Sequence, residues 1–184
     1  MSVIETPRLA LRQLTPDDAA FILALLNDPT WLRFIGDRGI RSLADARAYI
    51  LNGPVASYTQ HGFGLWLVSR KADAVPVGLC GLLKRDVLDD VDLGFAFLQP
   101  HQAQGYGEES AAATLVYARS ILGLQRLVAV TSPDNAGSIR LLEKLGLCYE
   151  KMIRLAPAAE EIRLFAINLC PSLSRDHAVE GKIS

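Results

Sequence analysis

A chain of 184 residues, half of them hydrophobic, is long enough to bury a real core and falls within the size of one domain. Its 19 Lys and Arg against 20 Asp and Glu leave a net charge of −1, without the basic footprint that a nucleic-acid partner requires. Cys80, Cys148 and Cys170 are odd in number and form no C-x-x-C pair, so no disulfide framework and no metal site is expected, only three core or near-core thiols in a reducing compartment.

The first seven residues lack a basic region followed by an apolar stretch, and the longest apolar runs, such as residues 74–83, are too short to span a bilayer. A cytoplasmic protein with no membrane partner is therefore expected. Leu9 and Leu11 alternate with polar positions across residues 8–14, the pattern of a half-buried first strand. In Thr15-Pro16-Asp17-Asp18 a capping hydroxyl, a proline at the first helical position and two carboxylates announce a helix to about Asn27. Asp28-Pro29 breaks that pattern, and residues 30–39, with Trp31, Arg33, Phe34 and Arg38 among glycines, predict a connecting loop. Ser42 with Asp45 three residues later repeats the capping logic for a second helix that stops near Asn52-Gly53.

Strand patterns follow at residues 64–68, 76–83 and 91–98, joined by polar turns at 71–73 and 86–90. After Pro100 the period becomes helical from about Gly107 to Leu122, and the small residues 110–113 allow close approach to a sheet. A short strand at 125–131, a helix at 135–145 ended by Gly146, and a strand pair at 148–155 and 160–169 complete the order β-α-α-β-β-β-α-β-α-β-β. Residues 1–170 read as a single domain, and the polar, aperiodic residues 171–184 as a flexible tail.

The segment Gln102-Ala103-Gln104-Gly105-Tyr106-Gly107 lies between a strand and a helix that opens with Glu108 and Glu109. Free amides at a helix start, joined to glycines that let the backbone come close, suit phosphate oxygens. Neither the third glycine of a dinucleotide fingerprint nor a Gly-Lys-Ser/Thr triplet is present. With no Lys or Arg in the loop, backbone amides must do most of the anion binding, and Gln102 and Gln104 add neutral donors. Glu108 and Glu109 are expected to point away.

This loop and its continuation through Ala111 resemble the Gln/Arg-x-x-Gly-x-Gly/Ala motif of the GNAT superfamily of N-acetyltransferases. Residues 135–147, beginning Asn135-Ala136-Gly137-Ser138 and ending Glu143-Lys144-Leu145-Gly146-Leu147, are similar to that family's second motif. Thr6-Pro7-Arg8-Leu9-Ala10-Leu11-Arg12 looks like the opening of the branch containing the ribosomal-protein N-acetyltransferases. The resemblance runs from about Glu5 to Leu169. It implies an α/β (α+β) GNAT fold: a mixed, mostly antiparallel sheet of about seven strands with about four helices, splayed between the fourth and fifth strands.

The resemblance further implies acetyl-CoA as cosubstrate and transfer to a primary amine, a protein N-terminus or a small molecule, by direct attack. Backbone groups of Phe95, Ala96 and Phe97 would then meet the pantetheine arm, residues 102–107 its pyrophosphate, and Asn135 the arm again. Asp92 is the implied base and Ser138 the implied acid. The tyrosine that many members use as acid is replaced here by Leu142. An α-amine, with a pKa of ~7.7–8.0, is substantially neutral at physiological pH, whereas lysine at ~10.4 needs far more help. The acceptor side falls to Trp31, Phe34, Arg38 and Arg41, and to residues 156–161 with Glu160 and Glu161. A non-catalytic acyl-CoA-binding module is the alternative, and the chain is expected to act as a monomer or homodimer.

Overall fold

The computed structural model describes residues 2–169; the predicted tail at 171–184 and Cys170 lie outside them. Eight strands form one sheet: β1 (Ser2–Glu5), β2 (Leu9–Arg12), β3 (Leu65–Arg70), β4 (Pro76–Leu83), β5 (Val91–Phe97), β6 (Arg126–Thr131), β7 (Cys148–Ile153) and β8 (Ile162–Asn168). Their spatial order is β1-β2-β3-β4-β5-β6-β8-β7, antiparallel throughout except for the parallel pair β5 and β6. The strand beyond the seven expected is β1, which pairs with β2. Four residues with two apolar side chains carry too weak a period to stand out without that partner.

Helices α1 (Ala19–Leu26), α2 (Pro29–Phe34), α3 (Leu43–Ile50) and α4 (Ala56–His61) precede β3, while α5 (Tyr106–Ser120) and α6 (Ala136–Lys144) flank β6. Two expectations for the first group need correction. Asp28-Pro29 does not end order: Asp28 caps α2, its Oδ1 accepting from Thr30 N at 2.9 Å, with Pro29 at the first helical position. Nor does the chain stop at Asn52-Gly53. It passes through a π turn at Leu51–Val55 that contains Pro54 and continues as α4, because an i→i+5 turn accommodates a residue with no N–H to give.

Trp66 and Val68 join the core beneath α5, while Leu67 between them joins the opposite core with Ile22, Leu25 and Ile50, so β3 alternates across two packed faces. Gly81 of β4 is held to its size by contact. A Cβ there would lie 2.2 Å from Gly64 O, and Leu82 N donates to that same oxygen at 3.1 Å. The small-residue face of α5 packs as anticipated: Ser110, Ala111 and Thr114 are buried, and Thr114 Oγ1 sits 3.5 Å from Cys80 Sγ. Burial pushes that thiol up to about 11. Cys148 departs from the expectation of a near-core thiol, since it is exposed on the edge strand β7.

The feature that positions the site is the meeting of β5 and β6. They pair only at Val91 with Leu127 and Asp92 with Val128, after which the strands part. Residues from Leu93 to Phe97 remain paired with β4 on one side and, among the described residues, pair with no strand on the other. Among the described residues, no helix is long and apolar enough to cross a membrane.

Candidate functional site

The parted strands open into a cavity of about 720 Å³. Asp92 and Phe95 to Phe97 line it from β5, and Asn135 and Ser138 from α6. Gln102, Ala103, Gly105, Tyr106 and Gly107 line it from the loop between β5 and α5. Gln104 is absent from this wall.

The loop is shaped by two left-handed residues, Ala103 at φ 56° and Gly105 at φ 81°. Only a residue without a Cβ adopts this region at no steric cost, and Gly105 caps α5 in it. Gln102 N donates to Gln99 O at 3.2 Å, and the next amide with a backbone acceptor is that of Glu109, on Gly105 O at 3.0 Å. The amides between them converge at the start of a 15-residue helix, where the dipole favours an anion. The glutamine side chains do something other than expected. Gln102 Nε2 donates to Phe97 O at 2.9 Å and Thr30 Oγ1 at 3.1 Å, and Gln104 Nε2 to Pro100 O at 2.9 Å. Both amides brace the loop instead of offering themselves to a ligand. Asp28 Oδ2 adds a further brace by accepting from Gln99 N at 3.0 Å.

A cation missing from the loop's own sequence arrives from the turn just before β2. Arg8 Nη1 donates to Gln104 O at 3.0 Å, and its guanidinium lies 4.9 Å from the centre of the Tyr106 ring. Glu109 turns away from the cavity, as expected, to hold this arrangement. It accepts from Thr6 Oγ1 at 2.6 Å, Arg8 N at 2.9 Å and Arg8 Nε at 2.6 Å. Glu108 departs from that expectation: it lines the cavity, paired with Lys144 at 2.7 Å. Burial raises the Glu109 pKa, but the Thr6 and Arg8 hydrogen bonds outweigh it and hold the group below its ordinary value of 4.5. The stabilisation is therefore present above that value and lost as pH falls through the lower folded one. Glu109→Ala should cost about 1–2 kcal/mol, because it removes three hydrogen bonds while the half-exposed Arg8 can turn to water and the Thr6 hydroxyl keeps Leu9 O as an acceptor. Urea denaturation at pH 7 measures this, and an unchanged midpoint would show that the anchor is idle.

On α6, Asn135 is the N-cap: its Oδ1 accepts from Ser138 N at 3.1 Å. Ser138 makes no hydroxyl bond back into its helix among the described residues, and Leu142, where a tyrosine acid was sought, is buried in the core.

Asp92 is the buried acid of the cavity, 1% exposed. Its Oδ2 accepts from Arg85 Nε at 2.6 Å, while among the described residues Oδ1 has no hydrogen-bond partner. Desolvation raises its pKa to about 6 against the opposing pull of Arg85. Asp90, two residues away, instead forms an ion pair with Arg126. Sequence reasoning missed Arg85, which lies between the strand expected at 76–83 and the turn expected at 86–90. Of the acceptor-side residues, Trp31, Phe34 and Arg38 line the cavity, joined by Tyr49 and Arg85. Arg41 does not; it pairs with Asp37 at 2.5 Å and donates to Asn27. Residues 156–161 also stay out of the wall, although Leu155 and Ile162 beside them take part, and Glu161 sits 3.5 Å from Arg154. Among the described residues no group of three or more His, Cys, Asp or Glu is placed to hold a metal.

Residues 8–147 match the family described as the acetyltransferase (GNAT) domain. The uncharacterized N-acetyltransferase YoaA of Bacillus subtilis (strain 168) is 29% identical over 153 residues, 83% of this chain and 86% of YoaA. Among solved structures, RimL, the ribosomal L7/L12 alpha-N-protein acetyltransferase in complex with coenzyme A, superposes with a TM-score of 0.78. It is 15% identical, with 91% of this chain and 98% of RimL covered. Spermidine N-acetyltransferase from Vibrio cholerae, in complex with CoA and spermine, gives a TM-score of 0.73 at 17% identity over 89% of this chain and 97% of that one.

Proposed function

We propose that this chain, which belongs to the GNAT acetyltransferase family, transfers the acetyl group of acetyl-CoA to a protein N-terminal α-amine or a small-molecule amine, in the cavity between β5 and α6. The observation that carries this reading is the unpaired flank of β5 beside a loop of free amides. An extended arm can bond to that flank as an added strand, and a pyrophosphate can sit on those amides. Residues 1–170 act in this reading as one domain.

Each residue then has a task. The amides of residues 102–107 hold the pyrophosphate, with Arg8 nearby to offset its charge. Backbone groups of Phe95, Ala96 and Phe97 align the pantetheine arm, and Asn135 assists through Nδ2, its Oδ1 being committed to the helix cap. Acetyl-CoA, when bound, supplies an activated acyl thioester. A β5 amide near Ala96 or Phe97 stabilises the oxyanion that develops on attack. Asp92 takes the ammonium proton; at about 3.3 Å of rise per residue it lies about 10 Å along β5 from Phe95, so the proton travels through water. The Ser138 hydroxyl, without a partner among the described residues, protonates the departing thiolate. Thiolate at a pKa of ~8.5 is already a fair leaving group, which makes this modest acid sufficient.

Thiol release from acetyl-CoA, followed over a panel of amines, tests the assignment. Peptides with free N-termini are expected to react faster than N-terminally blocked peptides with internal lysines. Cofactor binding without turnover of any amine would instead fit a binding module.

A further inference from the structure

The acceptor half of the cavity carries an unusual charge pattern. Two guanidinium groups, Arg38 and Arg85, line it, with Asp92 as the carboxylate between β5 and the acceptor wall. Elsewhere on the cavity wall stand a second acid, Glu108, which is paired with Lys144, and a third guanidinium, Arg140 of α6. Arg85 gives only its Nε to Asp92. Among the described residues its two terminal nitrogens have no partner, which leaves the Nη1/Nη2 edge of the fork open. That edge has the geometry that grips a carboxylate through two parallel hydrogen bonds. Arg38 has neither ion pair nor hydrogen bond among the described residues. Burial raises the Tyr49 phenol above its usual value and the charges of Arg38 and Arg85 both oppose the rise, so the two arginines act on one region. Two buried groups there also lack partners among the described residues: Asp92 Oδ1 and Trp31 Nε1.

We infer that the acceptor is an amine that itself carries a carboxylate a few bonds away, held by Arg85 and Arg38, and not a polycationic amine. This rests on the acetyl-transfer reading above. The acceptor carboxylate neutralises the surplus arginine charge while the amine is presented to the thioester. Asp92 is then left to take the proton without also serving as the counter-ion of both arginines. A polyamine, by contrast, brings further positive charge to a wall that already has two positive groups for one negative, and like charges at such range repel strongly. A free amino acid and the acidic N-terminus of a peptide share the required chemistry.

The experiment compares kcat/KM for matched acceptors on the intact protein: glutamate α-amide against glutamine α-amide, a C-terminally amidated peptide opening Asp-Ala against Asn-Ala, and spermidine. The acid of each pair is expected to exceed its amide by about 10- to 100-fold, with spermidine slower than either acid. Whichever pair reacts faster identifies the free amino acid or the peptide as the source. Arg38→Gln should compress the acid-to-amide ratio to within about threefold. Arg38→Glu should reverse the preference towards spermidine, an outcome that loss of packing alone does not produce. Acceptors turned over with no preference for the acid, or with the ratio untouched by both variants, would overturn the charge assignment while leaving acetyl transfer in place. Acetyl-CoA bound but no amine acetylated would sink both.

Discussion

Gly107→Asp is expected to weaken acetyl-CoA binding by about 10²-fold while leaving thermal stability unchanged or slightly higher. Gly107 is the second residue of α5. A Cβ there meets only ordinary contacts, Leu141 Cδ2 at 3.4 Å and Phe97 Cε2 at 3.6 Å, so the fold accepts it. An aspartate in the first turn is favoured by the helix dipole by about 0.3–1 kcal/mol. The same carboxylate stands among the amides assigned to the pyrophosphate. Two like charges about 4 Å apart near a protein surface repel by roughly 4 kcal/mol, and half of that is still more than a tenfold loss for each phosphate charge. Gly105 offers a poorer test. Its φ of 81° strains any side chain, and its Cβ would lie 3.1 Å from Arg8 Nη2, a cation that would mask an added anion. Isothermal titration with acetyl-CoA, beside a melting curve, decides the matter; retained affinity in a folded Gly107→Asp protein would place the pyrophosphate elsewhere.

The second large effect is on turnover. Asp92→Asn should lower kcat/KM by about 10²- to 10³-fold, the range of a positioned acid or base, and remove the acidic limb expected near pH 6 in the wild-type profile. Asparagine still accepts from Arg85 Nε, so the geometry survives. Stability moves the other way. The folded pKa of Asp92 lies above its ordinary value of 3.8, so between roughly 4 and 6 the native state binds more protons than the unfolded one. Stability from this group falls as pH rises through that window and stays lost above it, by about 3 kcal/mol. The variant is thus expected to melt no lower than wild type at pH 8 and to lose that advantage at pH 4. An unaltered pH profile in Asp92→Asn would remove Asp92 from proton transfer.

Local chemistry made part of this site legible. The loop of residues 102–107 and the cap at Asn135 depend on glycines, helix starts and spacing, all of which are written in consecutive residues. Alternating hydrophobicity similarly exposed β3, β4 and β5. What escaped was set by partners distant in the chain. Arg8 reaches the loop across 96 residues to Gln104 O, and Arg85 becomes meaningful only when β4 and β5 bring it to Asp92. Asp28-Pro29 reads equally well as a break or as a cap followed by a first helical residue, and packing against Gln99 selects the second. Pro54 gives the sequence of a helix end, but a π turn carries the chain past it. The parting of β5 from β6 followed from family resemblance alone, because strand separation leaves no mark on either strand's own pattern.

That parting has a consequence for what the molecule admits. Unsatisfied strand edges usually lie at a sheet's rim, where any neighbouring chain can add to them and start aggregation. Here the open edge runs through the interior, from Leu93 to Phe97, between walls supplied by β4, α5 and α6. A folded protein is too thick to reach it. A slender flexible arm is not, so girth screens candidates for this backbone before any charge or hydrogen bond is consulted.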